Sequence, residues 1–315
     1  MDLSPAPFYT DISHGPEGGA AYWVTAGDGK RIRVGHWPLD GAEGTVLIFP
    51  GRTEFIEKYG QIAAAFAERG LASVAIDWRG QGLSDRMLDD PLVGHVDSFI
   101  DYQKDVAALM RAVRQLGLPR PLYLLAHSMG GAIGLRAVME GLGVQAVTFS
   151  GPMWGIFFKP HIRPFAHVLG HIMPVIGRGH LLPPGSSPRA HVLTTDLETN
   201  LLTRDAEQFE IMHQQLTAHP EMELGGPSYV WLREALRETR HLQSRPSPGL
   251  PCLTLLGSNE GIVDVPAIHR RMDAWPRGEL QIVDPGEHEV LMESAERTEP
   301  LFDRIAAHFR KSAGT

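Results

Sequence analysis

Leu124-Leu125-Ala126-His127-Ser128-Met129-Gly130-Gly131 joins a continuous apolar run, Leu122–Ala126, to a stretch with helical spacing, Met129–Glu140. A chain that passes from a buried strand into a helix across one residue must turn sharply, and that turn tolerates only small side chains beside its apex. Ser128 stands at the apex, with Ala126 two residues before it and Gly130 two residues after it; Gly131 keeps the helix side clear. Such a turn places the serine oxygen at the carboxyl end of its strand, where open α/β sheets bind ligands. The competing reading makes Ser128 a simple N-cap of the helix. The strand–turn–helix context favours the exposed nucleophile.

The same alternation extends outward from this segment. Thr45–Phe49, Leu71–Ile76 and Val144–Phe149 are runs of the kind that suit strands buried on both faces, and the strand pattern resumes at Cys252–Leu256 and Leu280–Val283. Thr53–Arg69 places Ile56, Tyr59, Ile62 and Phe66 on one helical face. Ser98–Gly117 opens with a capping-box-like Ser98-Phe99-Ile100-Asp101, and a last helix covers Pro300–Lys311. Ala21–Thr25 and Arg31–Trp37, joined through Asp28-Gly29, read as a hairpin. The expected fold class is therefore α/β, with a mostly parallel central sheet flanked by helices. Strand signals vanish between residues 152 and 245. Residues 1–151 and 246–315 are thus expected to form the core, with 152–245 an inserted helical cap; insertions this long at a strand end are usually functional.

Composition narrows the function classes. Apolar residues make up 43% and charged residues 21%, which excludes a disordered chain. The formal net charge of −8, without a dense basic cluster, counts against nucleic-acid binding. The single cysteine, Cys252, rules out an internal disulfide framework or a multi-cysteine metal site and fits a reducing compartment. Met1–Pro5 lacks a basic, apolar leader, so a cytoplasmic location is expected. The greasiest long stretch, Gly155–Gly177, is broken by Lys159, Pro160, His161, Arg163, Pro164 and Pro174. It does not read as a membrane span, although peripheral contact with a membrane or micelle stays open.

A serine hydroxyl at neutral pH needs a histidine base held by a carboxylate, and on this scaffold the chain order is serine, acid, histidine. Of fifteen histidines, His288 follows the last strand in Asp284-Pro285-Gly286-Glu287-His288-Glu289. Glu260, in the loop after Cys252–Leu256, is the preferred acid; Asp264 is the alternative and also suits the N-cap of the next helix. The oxyanion donors should be the N–H of Met129 and that of Arg52, in the loop after Thr45–Phe49. The Arg52 side chain has two candidate partners, Glu54 and a substrate anion.

These stretches resemble the monoacylglycerol lipase and bacterial lysophospholipase branch of the α/β-hydrolases. The resemblance rests on Phe49-Pro50-Gly51-Arg52-Thr53-Glu54, Asp77-Trp78-Arg79-Gly80-Gln81-Gly82-Leu83-Ser84, Gly94-His95-Val96-Asp97-Ser98-Phe99, the Ser128 segment and Gly286-Glu287-His288-Glu289-Val290-Leu291. Pro227-Ser228-Tyr229-Val230-Trp231-Leu232 is similar to the end of a lysophospholipase-like cap. The resemblance implies an α/β-hydrolase fold, Ser128 as nucleophile, Glu260 as acid, His288 as base, and Arg52 and Met129 as oxyanion donors. Lipases of this branch more often carry His-Gly at Pro50-Gly51, Gly at Ala126 and Asp at Glu260; bacterial lysophospholipase-like members tolerate all three differences.

The implied activity is a serine carboxylester hydrolase acting on monoacyl lipids, either lysophospholipid or monoacylglycerol. The alternatives are a small-ester or amide/peptide hydrolase with the same triad, and a non-catalytic ligand-binding homologue. Within the cap, Trp154, Phe157, Phe158, Val168 and Leu169 are expected to meet an acyl chain, against the plainer reading that they pack the cap on the core. No cofactor or metal is expected. His167 and His171 lack an intervening Glu, and Gly80-Gln81-Gly82 opens a loop rather than a helix.

Overall fold

A computed structural model describes residues 3–313 apart from Pro160 and Ile162. Nine strands form one sheet: β1 (Ser4–Ala6), β2 (Ala20–Thr25), β3 (Arg31–Trp37), β4 (Thr45–Phe49), β5 (Ala72–Asp77), β6 (Leu122–His127), β7 (Val147–Ser150), β8 (Cys252–Gly257) and β9 (Gly278–Val283). Their spatial order is β1-β2-β3-β5-β4-β6-β7-β8-β9. Pairing is antiparallel from β1 to β5 through β2 and β3, and parallel from β5 to β9. The hairpin β2–β3 has the expected Asp28-Gly29 turn, with Gly29 at φ 85°, where a side chain would be strained. The edge strand β1 carries no apolar run and was not legible.

The helices are α1 (Thr10–Ser13), α2 (Gly60–Ala67), α3 (Tyr102–Gln115), α4 (Met129–Met139), α5 (Arg163–Val175), α6 (Ala206–Ala218), α7 (Tyr229–Gln243), α8 (Val265–Asp273) and α9 (Ala295–Ala313). Strand alternation divides the core into two layers. Leu47, Phe49, Leu124 and Ala126 face α3, α4 and α8, which contribute Leu109, Ile133 and Ile268. Val46, Ile48, Tyr123 and Leu125 face α2 and α9, which contribute Phe66, Ile305 and Phe309. Helices on both faces leave the carboxyl edge of the parallel strands as the open crevice.

Three local expectations are corrected. The helix expected over Thr53–Arg69 begins with a 3-10 turn at Ile56–Tyr59, because residues 50–55 fold into a loop held by Glu54. Ser98 makes no side-chain cap; Asp101 pairs with Lys104 at 2.7 Å instead of closing a capping box. The last helix starts at Ala295 and runs through Pro300, since docking of Leu301, Ile305 and Phe309 outweighs the lost backbone bond.

Between β7 and β8 the described residues hold α5, α6 and α7 and no strand. The segment is not uniform. Trp231, Ala235 and Leu242 of α7 belong to the main core, whereas α5 leaves Phe165, Val168 and Ile172 exposed. The Gly94-His95 and Pro227-Ser228 motifs are partners. Gly94 and Pro227 form a parallel bridge, the Ser228 N–H donates to Gly94 O at 2.7 Å, and His95 Nδ1 meets Ser228 Oγ at 2.8 Å.

Candidate active site

Ser128 lies between the last residue of β6 and the first of α4, at φ 50° and ψ −117°. A non-glycine residue in this region is strained and is held there by its surroundings. The Ser128 N–H donates to Ser150 O at 3.0 Å; its carbonyl accepts from Gly131 N at 2.9 Å and Met153 N at 2.8 Å. Its side chain makes no cap bond, so the N-cap role is not the one it fills. A Cβ on Gly130 would stand 2.1 Å from Phe49 O, which is why the turn requires glycine there. Ala126 replaces the more usual glycine without crowding because its Cβ fills space beside Gly134, where a Cβ would lie only 3.2 Å away.

The loops after β8 and β9 are joined by backbone bonds. Ser258 N donates to Val283 O at 3.0 Å and Asn259 N to Gly286 O at 2.8 Å. This register brings His288 Nδ1 to 2.6 Å from Glu260 Oε2. The other Glu260 oxygen accepts the N–H groups of Ile262 and Val263 at 2.7 and 3.1 Å. Asp264 is occupied elsewhere, capping α8 through Ala267 N at 3.2 Å. Gly151, at φ 48°, passes the pair so closely that a Cβ would come within 3.1 Å of His288 Nδ1. Burial opposes ionisation of Glu260, but the His288 hydrogen bond and charge, with the two backbone N–H groups, hold its carboxyl below the usual range. Burial likewise opposes the imidazolium of His288; Glu260, Glu289 and Glu54 outweigh it and raise its pKa.

The loop after β4 is pinned from below. Pro50 O accepts Trp78 Nε1–H at 2.9 Å, and Gly51 O accepts Gln81 Nε2–H at 2.8 Å. The Glu54 carboxylate takes the Gly51 N–H, so the next N–H along the loop is that of Arg52. Thr53 follows at φ 68°. Glu54 also accepts Tyr59 Oη–H at 2.5 Å and pairs with Lys58 at 2.8 Å; Lys58 reaches Glu289 at 2.7 Å. Glu54, His127 and Glu289 offer ligand atoms within 4.8 Å of one another. Lys58 Nζ bridges the two carboxylates and supplies the positive charge a metal would bring, so the donor set does not fit a vacant metal site. His127 donates Nδ1–H to Ser150 O at 2.9 Å, and burial pulls its pKa down to about 4, leaving it neutral. The His167–His171 spacing cannot be placed, because the His167 side chain lies outside the described residues.

The sequence alone does not mark Glu54, Lys58, Tyr59 and Gln81 as groups that hold this loop. The Glu54/Lys58 spacing is that of an i, i+4 helix pair and gives no hint of Glu289. The Arg52 side chain does not pair with Glu54. Its Nη1 donates to Gly225 O at 2.7 Å, and its guanidinium lies 5.7 Å from the centroid of the Trp231 ring.

Ser128, Met129, Arg52 and His288 share the wall of a cavity of about 780 Å³. Phe158 and Leu169 line it, joined by Ile156, Phe165, Val192 and Leu216. Three expected acyl contacts are corrected. Trp154 is buried in the core, stacked with Trp275 at 6.1 Å and donating Nε1–H to Gly131 O at 3.2 Å. Phe157 and Val168 are each 53% exposed and stand outside the cavity wall. An aromatic or branched residue is equally suited to core, cavity or surface, and only the backbone path decides.

The parallel sheet, the strained serine at its carboxyl edge and the flanking helices define an α/β-hydrolase. The chain belongs to the family described as serine aminopeptidase, S33, whose model matches residues 40–295. It is 34% identical over 223 residues to lysophospholipase L2 of Escherichia coli strain K12, covering 70% of this chain and 64% of that protein. It is 29% identical over 274 residues to a probable lysophospholipase L2 of Haemophilus influenzae, covering 84% of this chain and 85% of that one. The chain thus matches just under two thirds of the length of the E. coli relative. In structure it superimposes on a soluble variant of monoglyceride lipase from Saccharomyces cerevisiae, bound to a substrate analog, with a TM-score of 0.71 and 19% identity over 98% of this chain and 99% of that one. The relatives lie on the lysophospholipase and monoglyceride lipase branch that the sequence motifs resemble.

Proposed function

We propose that this chain is a serine carboxylester hydrolase that cleaves monoacyl lipids through an acyl-enzyme intermediate. The observation that carries the reading is the opening of a strained serine and a buried His–Glu pair into one largely apolar cavity of about 780 Å³, within the usual range of small-molecule binding cavities. In this reading Ser128 Oγ attacks the ester carbonyl while His288 Nε2 takes its proton. Glu260 holds the imidazole tautomer and stabilises the imidazolium. The N–H groups of Arg52 and Met129 receive the oxyanion. His288 then returns the proton to the leaving glyceryl oxygen, and water activated by the same base releases the fatty acid. Residues 1–151 and 246–315 act as the catalytic core, and 152–245 as the cap that walls the acyl chain with Phe158, Leu169 and their neighbours.

The relatives in Escherichia coli and Haemophilus influenzae, named as a lysophospholipase and a probable lysophospholipase, support this substrate class. Exposed Phe165, Val168, Ile172, Val175 and Ile176 on and just after α5 support peripheral contact with a membrane or micelle surface, from which such a substrate would enter. No helix among the described residues is long and apolar enough to cross a membrane. The test compares hydrolysis of lysophosphatidylcholine, monoacylglycerol, a short ester and an aminoacyl amide by the wild type, with Ser128→Ala as the blank. Turnover of the two lipids, lost in the variant, is expected. Turnover of only the short ester or the amide would move the function to small esters or peptides. Failure of a fluorophosphonate to label Ser128 would favour a ligand-binding role.

A further inference from the structure

Among the described residues, the buried and half-buried arginines around the core are satisfied by carboxylates or by several backbone carbonyls, with one exception at the cavity. Buried Arg33 pairs with Asp77 and Glu57, Arg79 with Asp105 and Asp28, and Arg136 with Glu238 and Glu140. Arg86 and Arg271 lack carboxylates, but each spends its guanidinium on several backbone carbonyls. Arg52 has neither arrangement. Among the described residues it makes one side-chain hydrogen bond, to Gly225 O, and no ion pair, although a guanidinium carries five N–H donors. Its side chain lies in the wall of the cavity that holds Ser128 and His288, with His191 on the same wall.

Two carboxylates also border this cavity, Glu54 and Glu289, and both are bound to Lys58; Glu54 is further held by Tyr59 and the Gly51 N–H. Neither reaches Arg52. Burial draws the Arg52 pKa down to about 10, which still leaves it charged at neutral pH; burial, joined by the Arg52 charge, lowers the His191 pKa. A half-buried cation without a counter-ion is left under-compensated unless a ligand supplies one. The residue also has the right place along the chain. Its main-chain N–H is at the proposed oxyanion position, so a group bound by its side chain is set off from the ester carbonyl by roughly the length of an arginine side chain. That separation matches the glycerol unit that divides the acyl ester of a lysophospholipid from its phosphate.

We infer that the Arg52 guanidinium is the subsite for the phosphate of the substrate headgroup, so that the preferred monoacyl lipid is a lysophospholipid rather than a neutral monoacylglycerol. This rests on the monoacyl-lipid reading above. A guanidinium offers a phosphate paired, charge-assisted hydrogen bonds that a glycerol hydroxyl cannot match.

The test measures kcat/KM for palmitoyl lysophosphatidylcholine and for monopalmitoylglycerol in the wild type, Arg52→Gln and Arg52→Lys, and reads the ratio between the two substrates. Any effect of the substitution on the loop backbone falls on both lipids and cancels. Arg52→Gln is expected to lower the lysophospholipid-to-monoacylglycerol ratio by about ten- to a hundredfold, the loss of a charged hydrogen-bonding partner, and Arg52→Lys by less. An unchanged ratio in Arg52→Gln would overturn the inference while leaving the hydrolase reading intact. No turnover of either lipid by the wild type would overturn both. Wild-type monopalmitoylglycerol hydrolysis in the presence of hexadecylphosphocholine or inorganic phosphate separates a headgroup from a free anion. Stronger inhibition by the lipid phosphate, weakened in Arg52→Gln, supports the headgroup, and stronger inhibition by inorganic phosphate would overturn it.

Discussion

The carboxyl edge of the sheet and the inserted segment above it are built on opposite terms. At the edge, backbone and side chains are over-determined. Ser128 is held at φ 50° by bonds to Ser150, Gly131 and Met153, Glu260 uses both oxygens, and Glu54 ties the loop at Gly51 to Tyr59 and Lys58. In the inserted segment Trp154 and α7 are anchored in the main core and α6 packs in a smaller cluster with Ile12 and Phe55, whereas α5 carries an exposed apolar face and Val175 at its end is 85% exposed. The contrast teaches that the candidate catalytic groups are held in place by the fold, whereas the segment above them leaves apolar surface uncovered.

Breaking the edge should have the larger effects. Glu260→Gln removes the carboxylate from His288 and is expected to lower kcat by about 10²- to 10⁴-fold in a steady-state ester assay, with the fold preserved by circular dichroism. The pH profile sharpens the same point. In the proposed mechanism His288 must be neutral to accept the Ser128 proton, and its pKa is raised above the usual 6.5, chiefly by Glu260 acting against burial. The acid limb of kcat/KM should therefore lie above pH 6.5 in the wild type, with activity falling as pH drops through it. The residual activity of Glu260→Gln should show that limb displaced to lower pH; a limb that stays in place would remove Glu260 from the pair.

Glu54→Gln tests the loop beside the serine. It weakens the clamp on Gly51 and leaves Lys58 with one carboxylate, so kcat should fall by about tenfold to a hundredfold with KM little changed. A change in KM alone would make Glu54 a binding group and not a positioning one. Ser228→Ala removes the cap of α7 and the partner of His95; chemical denaturation should show a loss of about 1–2 kcal/mol. The smallest effect belongs to the exposed face. Val168→Ser with Ile172→Ser should lower the ratio of micellar to monomeric ester hydrolysis a few-fold. An unchanged ratio would confine this face to packing or to some other contact.

The same contrast explains what the sequence revealed. The placement of the proposed triad, Ser128, Glu260 and His288, is legible because the elbow and the loops after β8 and β9 are steric and topological necessities, with local residues such as Gly130 and Gly257 marking them. Glu54 was legible as a residue but not as a clamp, since its cluster is completed by Glu289, 231 positions from Lys58. Trp154 and Phe158 lie four residues apart and read alike, yet one stacks in the core on Trp275 and the other lines the cavity. That choice depends on how the chain leaves β7 at Gly151, which apolar periodicity does not encode.

The central claim, a pre-positioned serine serving an acyl-chain cavity, is tested most directly by kcat/KM across lysophosphatidylcholines of increasing acyl length presented below their micellar concentrations, with Ser128→Ala as control. The account predicts a rise with each added methylene until the cavity is filled, by up to about 0.8 kcal/mol per buried CH₂, and no activity in the variant above the uncatalysed rate. A profile that is flat or falls with chain length, with Ser128 still required, would contradict it.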